Sequence, residues 1–559
     1  MKNPLPSPPP STPDAGLAPD VAALVAAARR RGIPCLRHPE GAGLVQLGWG
    51  RRARRIQGAV TWNKSHIAVQ IARDPTLAKS LLREAGLPVP AGAQASGPRE
   101  AVEIFHRLGA PVVVKALAAG AAEDASAGLV SDDAVRAAYE RARRRGTGVA
   151  VERELAGADH RALVVDGRLV AVARLAAPSV TGDGFRTVVV LLEDENRARS
   201  GAPASPIPAD VPTQEMLARQ GLTLESIPPA GMRVKLRAVP DLGAGATAED
   251  VTAAVHPAVA DACERAARAI GLDVAGVLLA CESVSAPLEA QGGGVVGITA
   301  APDICMHERA GAAGVSDAVL RALLPEGGDG RIPLIAVAGG GDAVSRLIAQ
   351  AFQASGLRTA LANGEGIRIG QALLRPGDGT GAASAFAVLG SPEAEAAVLQ
   401  LSAAALAGAR AFDRCDVAVL AGREACALPG AAELARSARS VVLDTAQPGA
   451  AALARLLAEA ASIVRVSLDA PEPHDRGGEA VCVYLRGDTV LADSGGRLTP
   501  LADMHRIPSH LPIDDAIAAI AALWACGMEE GAIAAALAPR PQRAASPDRA
   551  RSRAAHAQR

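Results

Sequence analysis

Short runs of β-branched and aliphatic residues alternate along the chain with longer segments rich in Ala, Leu and Arg. The short runs predict strands, because such side chains pack well on a pleated surface, and the longer segments predict helices. Strands that alternate with helices are typical of α/β folds with mostly parallel sheets flanked by helices. In the first half the predicted strands are 111–115, 148–154, 163–175 and 187–192, and the predicted helices are 20–31, 75–86, 98–108, 131–145 and 251–270.

The alternation starts again after a Gly-rich stretch, 324-LPEGGDGRIP-333, which predicts a linker. The second half opens with a predicted strand at 332–340 and a predicted helix at 342–356. The last predicted helix, 514–527, is apolar on most of its faces, so we expect it to be buried. Further strands are predicted at 416–422, 440–445 and 480–492.

The composition argues against several kinds of partner. Hydrophobic residues make up 49% of the 559 residues but aromatic residues only 2%, which suits aliphatic cores and not aromatic platforms for nucleic acid. The net charge of −1 gives no overall field towards nucleic acid or an anionic membrane. We therefore expect neither nucleic acid nor a membrane as a partner.

The cysteines and the two ends of the chain bear on location and order. Eight Cys are scattered singly, without a CxxC pair, which favours reduced core residues over a zinc site. No apolar run reaches the ~18 residues of a membrane span, and no signal-like start is present, so we expect a cytoplasmic protein. Residues 1–19 are rich in Pro and predict a disordered arm, and the polar residues 541–559 predict a disordered tail.

A family resemblance extends over nearly the whole chain. It is carried by 45-VQLGWGRRARRIQGAVTWNKSHIAVQIARDPTLAKSLLREAGLPVPAG-92, 111-PVVVK-115, 181-TGDG-184, 219-RQGLTLESIPPAG-231, 300-AAPDICMH-307, 331-RIPLIAV-337 and 410-RAFDRCDVAVL-420. Together these stretches resemble the cyanophycin synthetase family. The resemblance implies an ATP-grasp domain followed by a Mur-ligase-like domain. In that family each domain activates a carboxylate as an acyl phosphate at its own ATP site, and together they polymerise Asp and Arg.

The same resemblance divides the chain. It implies a remnant of the family's N-terminal domain over residues 20–65, an ATP-grasp-like domain over 66–325 and a Mur-ligase central-like domain over 331–540. Most of the family's N-terminal domain and its Mur C-terminal domain have no counterpart here. We therefore expect a shortened member of the family.

Five residues of the ATP-grasp half stand at family positions for nucleotide binding. They are Lys79, Lys115, Glu152, Arg161 and Arg237. The resemblance implies that Lys115 reaches the α-phosphate and that Glu152 lies beside adenine and ribose. The alternative is that each is an ordinary solvated or salt-bridged surface residue. ATP and Mg²⁺ are thus the cofactors that the resemblance allows in this half, in a vestigial pocket.

The expected metal ligands are replaced. Transfer of a phosphoryl group needs Mg²⁺ held by oxygen ligands. The family's metal-binding strand carries Glu and Asn where this chain has Gly297 and Thr299, and the partner Asp is Leu278. Glu282 and Asp303 are the nearby candidates for compensation. We expect no metal site at these positions.

The phosphate-binding segments are altered in both halves. The loop 116–130, Gly-rich with His and Arg in the family, here carries Glu123 and Asp124 and no cation. In the Mur-like half, the family's P-loop of the type GTNGKTT reads 338-AGGGDAVSR-346.

Gly339, Gly340 and Gly341 still allow a turn at this degenerate P-loop, but Asp342 puts negative charge where phosphate is expected. No Lys follows Lys235 to replace the missing one, and Gln400 stands where the family has Glu. We expect no nucleotide in this half.

Three functions remain open on this sequence. The first is a non-catalytic homologue that assembles with itself or with an active cyanophycin synthetase, as a structural or regulatory partner, or binds the polymer. The second is an ATP-dependent amide ligase of the family that joins β-Asp-Arg dipeptides at the ATP-grasp site alone. The third is a nucleotide- or peptide-binding module without turnover. Loss of reactive positions with retained apolar periodicity favours the first, since random decay would also damage cores.

Overall fold

A computed structural model describes residues 16–38, 43–117, 125–145, 148–200, 205–408, 410–457, 461–470, 481–507 and 511–537. Residues 1–15 of the predicted arm and the whole predicted tail, 541–559, lie outside these ranges. The same holds for Glu123 and Asp124 of the altered phosphate loop.

The N-terminal segment forms one helix and a small antiparallel sheet whose strands follow chain order. Its elements are α1 (Pro19–Arg30), β1 (Cys35–Arg37), β2 (Leu44–Leu47), β3 (Arg54–Gln57) and β4 (Val60–Thr61). Pro19 stands in the first turn of α1, where the missing N–H is not needed.

The first half begins with two helices and a four-stranded sheet in the order β5-β8-β6-β7, within the described residues. The elements are α2 (His66–Arg73), α3 (Pro75–Glu84), β5 (Gly92–Ala95), α4 (Pro98–Leu108), β6 (Val112–Ala116), β7 (Ser126–Leu129), α5 (Asp132–Arg143) and β8 (Val149–Arg153). Asp74 accepts hydrogen bonds from the Thr76 and Leu77 amides and so caps α3, the helix that carries Lys79.

A second, antiparallel sheet follows in the order β13-β10-β9-β14-β15, with a small β11-β12 ribbon beside it. The elements are β9 (Ala158–Val165), β10 (Arg168–Ala176), β11 (Ser179–Thr181), α6 (Val188–Arg199), α7 (Val211–Ala218), β12 (Arg233–Lys235), β13 (Thr247–Asp250), α8 (Pro257–Ile270), β14 (Val274–Cys281), β15 (Gly294–Thr299), α9 (Ile304–Arg309) and α10 (Val315–Leu323).

The prediction of a strand at 187–192 is wrong, because this run opens helix α6. Its buried residues are Val188, Leu191 and Leu192, which have the i, i+3, i+4 spacing of a helix face. These side chains pack with Val180 and Val234 of the β11-β12 ribbon. Tertiary packing therefore overrides the strand preference of the β-branched residues.

The predicted strand 163–175 is interrupted by a tight turn. Asp166 and Gly167 have φ values of 49° and 71°, in the left-handed region that two-residue hairpin turns require. The run therefore becomes the end of β9 and most of β10, which pair antiparallel.

The second half is built on one large sheet of eleven described strands, in the order β19-β18-β17-β20-β16-β21-β22-β23-β24-β25-β26. Strands β17, β20, β16, β21, β22, β23 and β24 are parallel, and the strands at both ends are antiparallel. The strands are β16 (Leu334–Gly339), β17 (Thr359–Asn363), β18 (Gly366–Ile369), β19 (Ala372–Pro376), β20 (Ala396–Leu401), β21 (Cys415–Ala421), β22 (Ala438–Asp444), β23 (Ser462–Ser467), β24 (Val481–Arg486), β25 (Thr489–Ser494) and β26 (Arg497–Asp503). The helices are α11 (Asp342–Ala354), α12 (Ala382–Gly390), α13 (Ala403–Ala407), α14 (Ala431–Arg436), α15 (Ala450–Leu457), α16 (Ile513–Ala525) and α17 (Glu530–Leu537).

Helices cover both faces of this sheet. Helices α11, α16 and α17 share one hydrophobic core with it, and α12, α14 and α15 share the other. The expectation that the last long helix is buried is confirmed, since eight consecutive residues of α16 from Ala516 to Leu523 are buried. The predicted α/β class, with a mostly parallel sheet flanked by helices, is confirmed.

The N-terminal segment lies against both halves. Leu36 and Trp49 belong to the hydrophobic core of the second half, whereas α1 packs on α10 of the first half. The Trp49 amide donates to the Gly330 carbonyl of the predicted linker at 2.7 Å. The predicted boundaries of the domains, at 65/66, 325 and 331, stay predictions.

Candidate functional site

Three of the predicted nucleotide residues meet in a buried cluster between α3 and the four-stranded sheet. The Glu152 Oε2 atom lies 2.5 Å from Lys79 Nζ and 3.0 Å from Lys115 Nζ. The three side chains are 8 to 15% exposed. Lys115 and Glu152 come together because β6 and β8 pair antiparallel, with Val113 opposite Glu152. We call Lys79, Lys115 and Glu152 the triad.

The triad sets two basic side chains against one carboxylate, and the pKa of Lys79 is lowered to about 7. Burial lowers the pKa of Lys79, and the charge of Lys115 lowers it further, although Glu152 acts in the opposite direction. Burial raises the pKa of Glu152, but Lys115 and Lys79 outweigh this effect, so its pKa is lowered overall. The two basic side chains suit an anion such as a phosphate group better than a cation.

Arg161 and Arg237 lie on other elements. Arg161 is on β9, in register with Leu278 of β14. Arg237 follows β12 and donates from Nη2 to Asp210 Oδ2 at 2.7 Å, with its side chain 11% exposed. Asp210 was not among the sequence candidates. It also caps α7 by accepting from the Thr213 amide, a role that the Asp-x-Pro start of that helix signals.

The three expected metal positions do converge. Leu278 is directly opposite Gly297 on β15, and Thr299 lies two residues further along the same strand. Residues directly opposite each other share a face of the sheet, and so do residues two apart on one strand. The face therefore carries Leu278, Gly297 and Thr299, with Arg161 on the next strand. This convergence could not be read from sequence spacing alone.

The residues present on this face do not fit Mg²⁺. Leu278 offers no ligand atom, Gly297 has no side chain, and the Thr299 hydroxyl accepts a hydrogen bond from the Ala301 amide at 3.2 Å. Asp303 is engaged as the cap of α9, accepting from the Met306 amide at 2.8 Å. Among the described residues no group of three or more His, Cys, Asp or Glu is placed to hold a metal ion.

The degenerate P-loop of the second half forms a turn between β16 and α11. Gly339 and Gly340 have φ values of 70° and 64°, which side chains rarely adopt, and Gly341 precedes the helix. Asp342 is the first residue of α11, and its Oδ1 atom accepts a hydrogen bond from the Gly364 amide at 2.8 Å. The carboxylate thus binds the neighbouring loop of the same chain.

Neutral side chains fill the space behind this turn. The Ser345 hydroxyl of α11 donates to the Oε1 atom of Gln400, which lies on β20, at 2.9 Å. The Asn363 amide of β17 donates to the Ser345 oxygen at 3.5 Å. Ser345 and Asn363 are fully buried. The Ser345 hydroxyl is therefore engaged inside the protein. This half of the chain also has no Lys to bind a phosphate.

The site is thus a buried Lys-Glu-Lys cluster beside antiparallel strands, in an α/β chain whose second half is built on a mostly parallel sheet. The chain is 34% identical over 398 residues to the cyanophycin synthetase of Nostoc sp., covering 69% of this chain and 44% of that protein. It is 34% identical over 421 residues to the cyanophycin synthetase of Synechocystis sp., covering 73% and 48%. The chain belongs to the cyanophycin synthetase family and spans about half the length of these curated relatives.

Other similarities are more distant. The glutathione biosynthesis bifunctional protein of Streptococcus agalactiae is 29% identical over 230 residues, covering 39% of this chain and 30% of that protein. A bifunctional glutathione synthetase from Pasteurella multocida superposes with a TM-score of 0.41 at 24% identity, covering 55% of this chain and 43% of that one. No family model matches the chain.

Among the described residues, no helix is both long and apolar enough to cross a bilayer.

Proposed function

We propose that this chain is a non-catalytic member of the cyanophycin synthetase family that acts as a structural or regulatory partner in cyanophycin synthesis. The observation that carries the proposal is the face formed by Leu278, Gly297 and Thr299. The charge of a departing phosphoryl group has to be neutralised by Mg²⁺, and these residues lack the carboxylate and amide ligands that would hold that ion.

The retained packing supports the same proposal. Both faces of the large sheet keep continuous apolar cores, and the degenerate P-loop is replaced by hydrogen bonds within the chain. A packed fold of this kind is what a protein that acts through assembly rather than turnover requires. The partner in this proposal is a second copy of this chain or a catalytically complete cyanophycin synthetase.

The direct test is turnover. Purified protein is incubated with ATP, Mg²⁺ and cyanophycin primer, together with Asp and Arg or with β-Asp-Arg dipeptide, and phosphate release is measured. We expect no release above that of a Lys115→Met variant. Release that depends on primer and disappears in Lys115→Met contradicts the proposal.

Restoring the ligands gives a sharper test of the cause. A Leu278→Asp, Gly297→Glu, Thr299→Asn variant places oxygen ligands on the shared face. A side chain at position 297 meets open space, since an added Cβ has no neighbour within 4 Å. We expect this variant to bind Mn²⁺, as detected by electron paramagnetic resonance, and the parent chain to bind none at this face. Equal Mn²⁺ binding by both contradicts the role assigned to the replaced ligands.

The partner role is tested by co-purification with a complete synthetase from the same cell. We expect the two proteins to co-elute and polymer yield to change when this chain is added. If the proteins elute separately and the yield is unchanged, the partner role is wrong.

The second candidate is an ATP-dependent amide ligase that uses only the ATP-grasp site, and the triad is the observation that favours it. Lys79 and Lys115, two of the residues at family positions for nucleotide binding, lie together beside Glu152. Stabilisation of the fold by Mg-ATP, but not by ATP with EDTA, would favour this ligase over a non-catalytic partner.

A further inference from the structure

A cavity of about 200 Å³ lies between the small sheet of the N-terminal segment and helix α12 of the second half. One wall is formed by residues of β1, β2 and β3, and the other wall is formed by α12. The triad, the replaced metal ligands and the degenerate P-loop contribute no residue to this lining. The cavity is therefore separate from both nucleotide sites that the family resemblance implies.

The sheet wall of the cavity follows from strand register. Leu36 of β1 is directly opposite Gln46 of β2, and Gln46 is directly opposite Arg55 of β3. Residues directly opposite each other share one face of a sheet, and Leu44 joins them because it lies two residues before Gln46. All four side chains line the cavity. The face thus places one guanidinium beside two leucines and a glutamine.

Gln46 forms a fixed polar floor. It is buried, and its Nε2 atom donates to the Gly48 carbonyl at 3.1 Å and to the Leu389 carbonyl at 3.0 Å. Its Oε1 atom accepts a hydrogen bond from Arg55 Nε at 3.4 Å. The amide therefore uses both of its N–H groups within the chain, and its oxygen orients Arg55.

Arg55 is a half-buried cation whose partners are neutral. Besides Gln46, its Nη2 atom donates to the Gly390 carbonyl at 3.1 Å, and its guanidinium lies 5.4 Å from the centre of the Trp62 ring. Among the described residues, no carboxylate lines the cavity. A guanidinium has five N–H donors, so these two hydrogen bonds hold the group in place and leave donors for an acceptor inside the cavity.

The helix wall is apolar. Phe386 and Ala387 of α12 line the cavity on the side opposite the two leucines. The exposed ring of His38 lies edge-on to Phe386, with 6.5 Å between the ring centres. The volume is below the ~300–1,000 Å³ of sites for drug-sized ligands, so the cavity suits a small molecule or a single side chain.

We propose that this cavity binds a small aliphatic carboxylate, either as a free carboxylic acid or as the C-terminal residue of a peptide. Arg55 binds the carboxylate, because its fork of N–H donors matches the two carboxylate oxygens. The aliphatic group lies between Leu44 and Phe386. This inference goes beyond the proposed function and does not depend on it, since no residue of the triad takes part.

The test is a ligand-observed NMR titration of the full chain with 3-methylbutanoate. The matched probes are the neutral 3-methylbutanamide, which keeps the aliphatic group, and acetate, which keeps the carboxylate. We expect 3-methylbutanoate to bind about 10-fold or more tightly than either of them. Failure of 3-methylbutanoate to bind overturns the proposal. Equal binding of the amide or of acetate also overturns it.

Variants place the ligand in the cavity. Arg55→Gln should weaken the binding of 3-methylbutanoate by about 10-fold or more. The matched control is Arg54→Gln on the same strand, which does not line the cavity and donates to the Ala53 carbonyl, and it should bind as the parent does. Ala387→Leu fills the cavity and should abolish binding while Arg55 is unchanged, with circular dichroism confirming the fold. Equal losses in the two arginine variants, or binding retained in Ala387→Leu, would overturn the proposal.

A peptide distinguishes the two sources of the carboxylate. A short peptide that ends in Leu is titrated with a free C-terminal carboxylate and, separately, with a C-terminal amide. Tighter binding of the free-carboxylate peptide than of 3-methylbutanoate identifies a peptide C-terminus as the ligand. No binding of that peptide, with 3-methylbutanoate bound, identifies a free carboxylic acid. Equal binding of the amidated peptide would overturn the role of Arg55.

Discussion

At the scale of single residues, Glu152 is the residue that allows the first half to bury two lysines. Its carboxylate is the partner that both Lys79 and Lys115 share. A buried charge without a partner is costly, because water no longer solvates it. We therefore expect the triad to be needed for the stability of this half.

We expect Glu152→Gln to lower the free energy of unfolding by about 3 kcal/mol, since Lys79 and Lys115 lose the carboxylate that both contact and must stay buried without it or give up a proton. Urea unfolding followed by circular dichroism measures this loss. The control is Glu103→Gln, which breaks an exposed ion pair with Arg99 on α4 and should cost less than ~0.5 kcal/mol. Equal losses in the two variants would contradict the structural role of the triad.

His307 predicts a dependence of stability on pH. Burial lowers its pKa to about 4, while Asp303 and Asp250 act in the opposite direction and Arg161 lowers it further. Between pH 6.5 and 4 the unfolded chain binds a proton that the folded chain does not, so stability falls as the pH falls. We expect the parent to lose up to ~3 kcal/mol more than His307→Gln over this range. Unfolding curves at several pH values measure the difference, and parallel losses would contradict it.

At the scale of elements, the turn between β16 and α11 keeps its backbone after losing its phosphate-binding chemistry. Gly339 has a φ of 70°, and a Cβ there would lie 2.4 Å from the Ala421 carbonyl oxygen of β21. The glycine is therefore required by the packing of two strands. Asp342 and Ser345 then bond to their own chain.

We expect Gly339→Ala to destabilise the protein by at least ~2 kcal/mol, through both the left-handed backbone and the contact with Ala421. Gly341→Ala is the matched control. Its φ of −90° suits any residue, and its added Cβ meets no atom within 4 Å, so it should cost less than ~1 kcal/mol. Thermal unfolding of the two variants measures the contrast. A similar small loss in both variants would show that β16 and β21 can move apart at little cost to make room for the added Cβ.

At the scale of the whole molecule, the N-terminal segment and the linker hold the halves together through Arg331. Its guanidinium bonds to both carboxylate oxygens of Asp413, at 2.8 and 2.5 Å, and donates to the Gly32 carbonyl at 3.1 Å. It also lies 4.5 Å from the centre of the Trp49 ring. One side chain of the linker therefore contacts the N-terminal segment and the loop that precedes β21 of the large sheet.

We expect Arg331→Ala to lower the free energy of unfolding by about 2–3 kcal/mol and to split a single unfolding transition into two, one for each half. Differential scanning calorimetry detects both effects. Arg414→Ala, which removes an exposed ion pair with Asp329, should leave one transition within ~0.5 kcal/mol of the parent. A single, unshifted transition in Arg331→Ala would mean that the halves are joined by other contacts.

The sequence by itself determined the α/β class, the buried character of α16, the family and the identity of the altered residues. These follow from apolar periodicity and from residue types along short stretches. Tertiary structure decided what those residues do. It made 188–192 a helix, placed Leu278, Gly297 and Thr299 on one face, and brought Lys79 to Glu152. Register and packing bring together residues that are far apart in sequence, and a local pattern does not encode that proximity.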